Sequence, residues 1–343
     1  ALKLLGLTAE QIIKMTSSIA SLTGLRTSEP INDLVTDPII DTISHAVVDL
    51  VRDSVRDSVT DPVRDSVRDS HDYDAMKVNP LASHDYDAIC IAGGGCKAVS
   101  LLGLLYEWDV RGRLNDISTW SACSVGGFIS VLLMCGVNPL KMLNYYPKIK
   151  HQPVSMEMFT TLMRHAGLLH IQNYTRKFCS TVERFTGIKN PSLQQFYEKT
   201  GKMLYISAVN VSKEEIVYLN HIDYPDVSLF SALWASAAIP GVFIPIRING
   251  DLFVDGGLYH SLPLEPILDM KTVAFNYEPV QVGSLDSIVS LLKINMTIAK
   301  KEVIKRHKEL RLVLCKCNFG LLDFDKTPSQ LLEEFDFGRR QFQ

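Results

Sequence analysis

The stretch Ala88-Ile89-Cys90-Ile91-Ala92-Gly93-Gly94-Gly95-Cys96-Lys97-Ala98-Val99 decides the fold. A five-residue apolar run is the length of one buried strand. Three glycines stop it, and an apolar helical pattern follows from Val99 to Tyr106. The same grammar returns at Ile117–Cys123, a second strand, which runs into Ser124-Val125-Gly126-Gly127 and a second apolar helix. Strand, turn and helix in succession build a parallel sheet covered on both faces. Further strands are expected at Met203–Asn210, Glu215–Leu219, Thr272–Asn276 and Leu310–Cys315. Ile244–Ile248 and Leu252–Asp255 flank Asn249-Gly250, a two-residue hairpin signal. Leu285–His307 reads as a long helix.

Outward from this core the texture changes. Residues 86–343 read as one α/β domain, with its motifs confined to 89–268. Residues 1–48 carry a weak apolar stripe and are expected to form a helical extension. Residues 49–85 hold the tetrads DLVR, DSVR, DSVT, DPVR and DSVR, and the pentapeptide HDYDA occurs twice, at His71–Ala75 and, running past the end of this stretch, at His84–Ala88. On a strand the tetrad puts Asp with Val and Ser with Arg, leaving no apolar face. On a helix it stacks like charges at i,i+4, and Pro62 interrupts it. A solvated linker without regular structure is expected.

Of the 343 residues, 46% are hydrophobic and 21% charged, and 35 Lys+Arg against 38 Asp+Glu leave a formal charge of −3. That balance argues against a nucleic-acid binder. The seven cysteines are scattered without a CxxC pair, and no histidine spacing matches a metal motif. No metal and no cofactor are expected. Asp323, Asp325, Thr327, Ser329 and Glu334 mimic calcium-loop positions, but Pro328 stands where such a loop needs glycine. The longest nearly apolar run, Val125–Val137, is 13 residues, too short to span a bilayer. The first apolar run breaks at Thr8-Ala9-Glu10, so no secretory signal is expected, and buried thiols suit a reducing, cytoplasmic setting.

Three features carry chemistry. Ser124, in Ala122-Cys123-Ser124-Val125-Gly126, occupies a strand-to-helix turn with small residues at −2 and +2, as in a nucleophile elbow. Ala122, Gly126 and Gly127 would support that turn. A helix N-cap is the competing reading of the same serine. Gly93, Gly94 and Gly95 expose successive amides at a helix start, where an anion or oxyanion could bind. A dinucleotide fingerprint through Gly93, Gly95 and Ala98 fails, because the next strand ends in Ala122-Cys123-Ser124 and not in an acid. Asp255 ends the hairpin strand and is followed by Gly256 and Gly257. His260 could complete a Ser-Asp-His triad, but a base and its orienter usually come from different loops.

GGG-x-K after the first strand, x-x-S-x-G at the elbow, Ala235-Ser236-Ala237-Ala238-Ile239-Pro240-Gly241-Val242-Phe243, and Asp255-Gly256-Gly257 stand in one order over residues 93–257. In this the chain resembles the patatin-like phospholipases. The likeness extends to Asp323-Phe324-Asp325 and leaves out residues 1–83. It implies a modified α/β-hydrolase sandwich and a lipid acyl hydrolase working by a Ser–Asp dyad, without metal or histidine. Ser124 would be the nucleophile, Asp255 the base, and the Gly93–Gly95 amides the oxyanion hole. Ala122 and Ala98 stand where the family usually has glycine, which bears on rate and loop geometry. Lys97 is a candidate contact for a substrate phosphate, or a plain helix-surface lysine. A phospholipid or other acyl ester is the implied partner. Residues 141–177, with six Lys/Arg (Lys141, Lys148, Lys150, Arg164, Arg176 and Lys177) against Glu157, could form a lip for peripheral contact with anionic lipid, or a helix pair packed on the sheet. The alternative from another class is a catalytically silent lipid-binding or scaffold protein on the same fold.

Overall fold

The computed structural model describes residues 86–149, 161–162, 164–278, 297–298, 301, 305 and 311–342. The expected N-terminal extension, the repeat linker and most of the Leu285–His307 helix lie outside the described residues.

The described chain is a mixed α/β fold around a mostly parallel sheet. Strands β1 (Ala88–Ile91), β2 (Thr119–Cys123), β3 (Met203–Asn210), β7 (Thr272–Tyr277) and β8 (Arg311–Cys315) run parallel in the order β3-β2-β1-β7-β8. Every residue of β1 and β2 is buried. That explains why β1 reads as a continuous apolar run, since both faces of a parallel sheet are covered; β2 buries Thr119 and Ser121 as well, and the Ser121 hydroxyl donates to the Pro263 carbonyl at 2.5 Å. Helix α1 (Ala98–Val110) follows β1, and α2 (Val125–Met134) follows β2. The second helix stops three residues short of the end of the apolar run Val125–Val137, and Gly136 beyond it turns to φ 73°. Helices α3 (Arg176–Thr186), α4 (Leu193–Thr200) and α5 (Leu229–Ser236) follow, and α6 (Pro328–Arg340) ends the described chain.

Strand β3 branches. Ile206 and Ser207 pair with β2 on one edge and with β4 (Glu215–Leu219) on the other. Val209 pairs with Ile216 of β4 and with Val254 of β6 (Asp251–Asp255). Strands β2 and β6 therefore share one edge of β3. The first runs parallel to it and the second antiparallel, so their C-terminal ends converge: Cys123 sits opposite Ser207, and Asp255 opposite Ala208. Strand β5 (Ile246–Ile248) flanks β6 through the expected Asn249-Gly250 turn, whose φ values of 51° and 92° are those of a tight hairpin. It starts two residues later than the sequence suggests. Pro245 has no amide to give a ladder, and Ile244 donates instead to the Leu169 carbonyl at 2.9 Å.

On the far side, α1 lies between the sheet and α6 and is buried along most of its length. The two helices approach closely. A Cβ on Gly103 would come 2.0 Å from the Phe335 carbonyl oxygen, and one on Gly338 would come 1.8 Å from that of Ser100. Within this contact the Ser100 hydroxyl donates to Glu334. Glu334 also accepts the Asn318 amide at 2.7 Å and its Nδ2 at 3.0 Å. Helix α6 thereby fixes the strap that starts at Asn318.

Candidate active site

The convergence of β2 and β6 brings two side chains together across 131 positions of sequence: Ser124 Oγ donates to Asp255 Oδ2 at 2.8 Å. Both residues are buried. Ser124 has φ 53° and ψ −128°. A non-glycine residue held there stores about 1–3 kcal/mol of backbone strain. A plain N-cap has an extended backbone and a side chain that accepts a bond from the helix; Ser124 has neither, and the elbow is the geometry present.

The turn is held from several sides. The Ser124 amide donates to Ser236 Oγ at 2.8 Å, and the Ser236 hydroxyl donates to the Ser207 carbonyl at 2.6 Å. Ser207 stands opposite Cys123, the last residue of β2, so Ser236 ties the elbow to β3 at the end of that pairing. Gly126 needs its missing Cβ: one built there would stand 2.3 Å from the Ile91 carbonyl oxygen. Gly127 packs on Leu233, and its amide donates to the Ser124 carbonyl at 2.9 Å. Ala122 lies inside β2 without positive φ, and Ala98 is αR at φ −54°. Neither alanine strains the backbone.

Asp255 is the electrostatically unusual group. Burial pushes its carboxyl up to about 6, opposed by the Gly257 amide, Ser124 and Cys123. The Gly257 amide donates to Oδ1 at 2.6 Å, and Cys123 Sγ lies 3.8 Å from the same oxygen. Burial, with the Asp255 charge, raises the Cys123 thiol well above its ordinary range, so the thiol stays protonated and can donate. A Cβ on Gly256 would meet the Ser207 carbonyl oxygen at 2.6 Å, which sets the close approach of β6 to β3.

The glycine turn needs one correction. The Gly93 amide donates to the Ser261 carbonyl at 2.8 Å and has nothing left for a ligand. Among the described residues no acceptor takes the amides of Gly94 or Gly95. Gly95, at φ 54°, turns the chain so that the next amide, of Cys96, bonds the Leu321 carbonyl. Ser124, Asp255, the three glycines and Leu321 enclose a nook of about 20 Å³. Ser124 also faces a cavity of about 370 Å³ walled by Leu102, Phe128, Leu132, Phe178, Phe243 and other apolar side chains. Phe324, from the strap, reaches this cavity and packs edge-on to Phe243 at 6.4 Å.

Lys97 lines neither space. The lysines at the larger cavity are Lys148 and Lys177, both in the cationic segment 141–177; Lys150 and Glu157 of that segment lie outside the described residues. His260 faces away from the dyad's hydrogen bonds: its Nδ1 lies 3.1 Å from the Tyr218 hydroxyl and 3.0 Å from Glu265 Oε2. Sequence reasoning missed Ser236, although the small-residue segment around it was visible. It also missed the Tyr218–His260–Glu265 cluster, which no local pattern announces. Among the described residues no group of His, Cys, Asp and Glu could hold a metal ion, and no helix is long and apolar enough to cross a membrane.

A serine on a strained strand-to-helix turn, bonded to a buried carboxylate and open to an apolar cavity, defines a class: α/β proteins built on a nucleophile elbow. The family model for patatin-like phospholipases matches residues 89–268, and the chain belongs to that family. It is 28% identical over 182 residues to a probable lipid hydrolase of Invertebrate iridescent virus 6, a match covering 52% of this chain and 61% of that protein. It is 26% identical over 199 residues to a patatin-like phospholipase domain-containing protein of Yarrowia lipolytica, covering 52% of this chain and 24% of that one. Among solved structures, VipD from Legionella pneumophila is 14% identical with a TM-score of 0.48, over 76% of this chain and 66% of its own.

Proposed function

We propose that the protein is a lipid acyl hydrolase that cleaves fatty-acyl esters through a Ser124 acyl-enzyme. The observation that carries this reading is the 2.8 Å bond from Ser124 Oγ to a buried Asp255 at the meeting of β2 and β6. Asp255 takes the hydroxyl proton as Ser124 Oγ attacks the ester carbonyl, and the acyl–oxygen bond to the alcohol breaks with return of that proton. Water then attacks the acyl-enzyme by the same route and releases the fatty acid. A carboxylate is an ordinarily weak base for serine, and desolvation brings Asp255 closer to the task. The amides of Gly94 and Gly95 are the donors for the oxyanion, a role worth about 3 kcal/mol per donor in comparable sites. The apolar cavity takes the acyl chain. The exposed cations Lys141, Lys148, Arg164, Arg176 and Lys177 give this face an affinity for anionic membrane surfaces.

A fluorophosphonate probe and a panel of phospholipids test this together. Wild-type protein is expected to label once, at Ser124, and to release fatty acid. Ser124→Ala is expected to lose labelling and at least about 10³-fold in kcat while keeping its melting temperature. Hydrolysis at the wild-type rate by Ser124→Ala would overturn the reading.

A further inference from the structure

The larger cavity is apolar through its depth and, among the described residues, carries charge at two places. Its charged lining side chains are Lys148 and Lys177, and no carboxylate among the described residues lines it. Both lysines are exposed, and among the described residues neither is paired with an acid. They come from separate elements. Lys177 belongs to the first turn of α3, and Lys148 follows Tyr145-Tyr146-Pro147, all three of which line the cavity. Lys177 is also held in place. Its Nζ lies 5.5 Å from the centroid of the Tyr145 ring, and the Tyr145 hydroxyl lies 3.0 Å from Thr181 Oγ1, one turn along the same helix.

An exposed ammonium beside an apolar cavity keeps its head in water while its stem covers the wall. It therefore meets the part of a ligand that stays outside once the acyl chain is buried. For an ester lipid that part is the headgroup. Resting on the reading that this cavity takes an acyl chain, we infer that Lys148 and Lys177 are specificity-determining residues that select lipids with a net negative phosphodiester headgroup over zwitterionic ones. A phosphocholine headgroup brings its own cation to two ammonium groups with no carboxylate to receive it. A phosphoglycerol headgroup brings none. Discrimination of this kind uses repulsion of the wrong ligand as well as attraction of the right one.

Surface attraction to an anionic vesicle would mimic this selectivity, so the test uses dissolved monomers. With the full chain, kcat/KM is measured on dihexanoyl-phosphatidylglycerol and dihexanoyl-phosphatidylcholine below their micelle-forming concentrations, with p-nitrophenyl butyrate alongside. The wild-type ratio is expected to favour phosphatidylglycerol about tenfold, equivalent to about 1.4 kcal/mol. In K148Q/K177Q the ratio is expected to fall close to one, chiefly through KM, and in K177R to persist. Both lipids present the same acyl ester, so a poorly folded variant lowers both rates and leaves the ratio intact. If the double variant has no turnover, the single variants K148Q and K177Q decide, each with an expected ratio about threefold lower. A wild-type ratio of one, or an unchanged ratio in the variants, would overturn the inference. Hydrolysis without headgroup discrimination removes this inference alone. No hydrolysis of either lipid or of p-nitrophenyl butyrate removes the hydrolase reading and this inference with it.

Discussion

Among the described residues two buried serine–carboxylate pairs stand out, Ser124–Asp255 and Ser100–Glu334. On paper they are alike. Ser100 lies inside α1, and Glu334 accepts three bonds, from the hydroxyl and from the amide and Nδ2 of Asn318. Neither of the two spaces at Ser124 is lined by Ser100 or Glu334. Ser124 lies on a strained turn, faces two spaces that share Gly95, Ser124 and Ile239 in their walls, and has nearby the amides of Gly94 and Gly95, unclaimed among the described residues. The contrast teaches that a serine bonded to a carboxylate is a structural device until three things are added: a backbone that exposes the hydroxyl, donors for an oxyanion, and room for a substrate.

That comparison can be broken most sharply at the carboxylates. Asp255→Asn is expected to abolish hydrolysis and to raise stability. The Asp255 carboxyl sits at about 6 against an ordinary 3.8, so the native state holds its proton to higher pH than the unfolded chain. Stability from this group therefore declines as pH rises from about 4 to about 6 and stays lower above, by up to about 3 kcal/mol. Thermal melts at pH 7.5 check this, and a variant that melts lower than wild type contradicts it. In the wild type, kcat/KM is expected to rise with pH and reach half its plateau near 6, since catalysis needs the ionised base.

Ser100→Ala should do the reverse. It withdraws one donor from buried Glu334 and is expected to cost about 1–3 kcal/mol in denaturant melts while kcat stays at the wild-type value. Smaller again is Ser236→Ala, which removes the acceptor of the Ser124 amide. About tenfold in kcat with little change in KM is expected, since the bond would orient the proposed nucleophile without touching substrate. A change confined to KM would assign Ser236 to binding instead. His260→Ala should matter least. Its partners are Tyr218 and Glu265, so kcat/KM and its pH limb are expected to stay in place.

Much of this was legible in the sequence. The parallel strands announced themselves because burial on both faces demands uninterrupted apolar runs, as in Ala88–Ile91. Ser124 and Asp255 were legible because each ends a strand and precedes glycines that only close packing requires. Their meeting was not, since it depends on β2 and β6 sharing an edge of β3, and strand pairing leaves no local mark. For the same reason the engagement of the Gly93 amide by Ser261 could not be foreseen. Helices α4 and α6 did leave local marks: Ser192 with Gln195, and Thr327 with Gln330, form capping boxes. Thr327, Ser329 and Glu334, which imitate a calcium loop on paper, are the cap and body of α6, with Pro328 in its first turn.

Ser124 and Asp255 are each a loss to folding, one through its backbone and one through its buried charge. Glycine at 124 would relieve the turn, and asparagine at 255 would remove the charge. Neutral drift in a lineage freed from lipid chemistry runs downhill at these two positions and uphill at Ser100, Glu334 and the sheet. The fold is thus built to outlive its activity, and relatives that keep every strand while losing serine or aspartate at this junction are the expected remains of such histories.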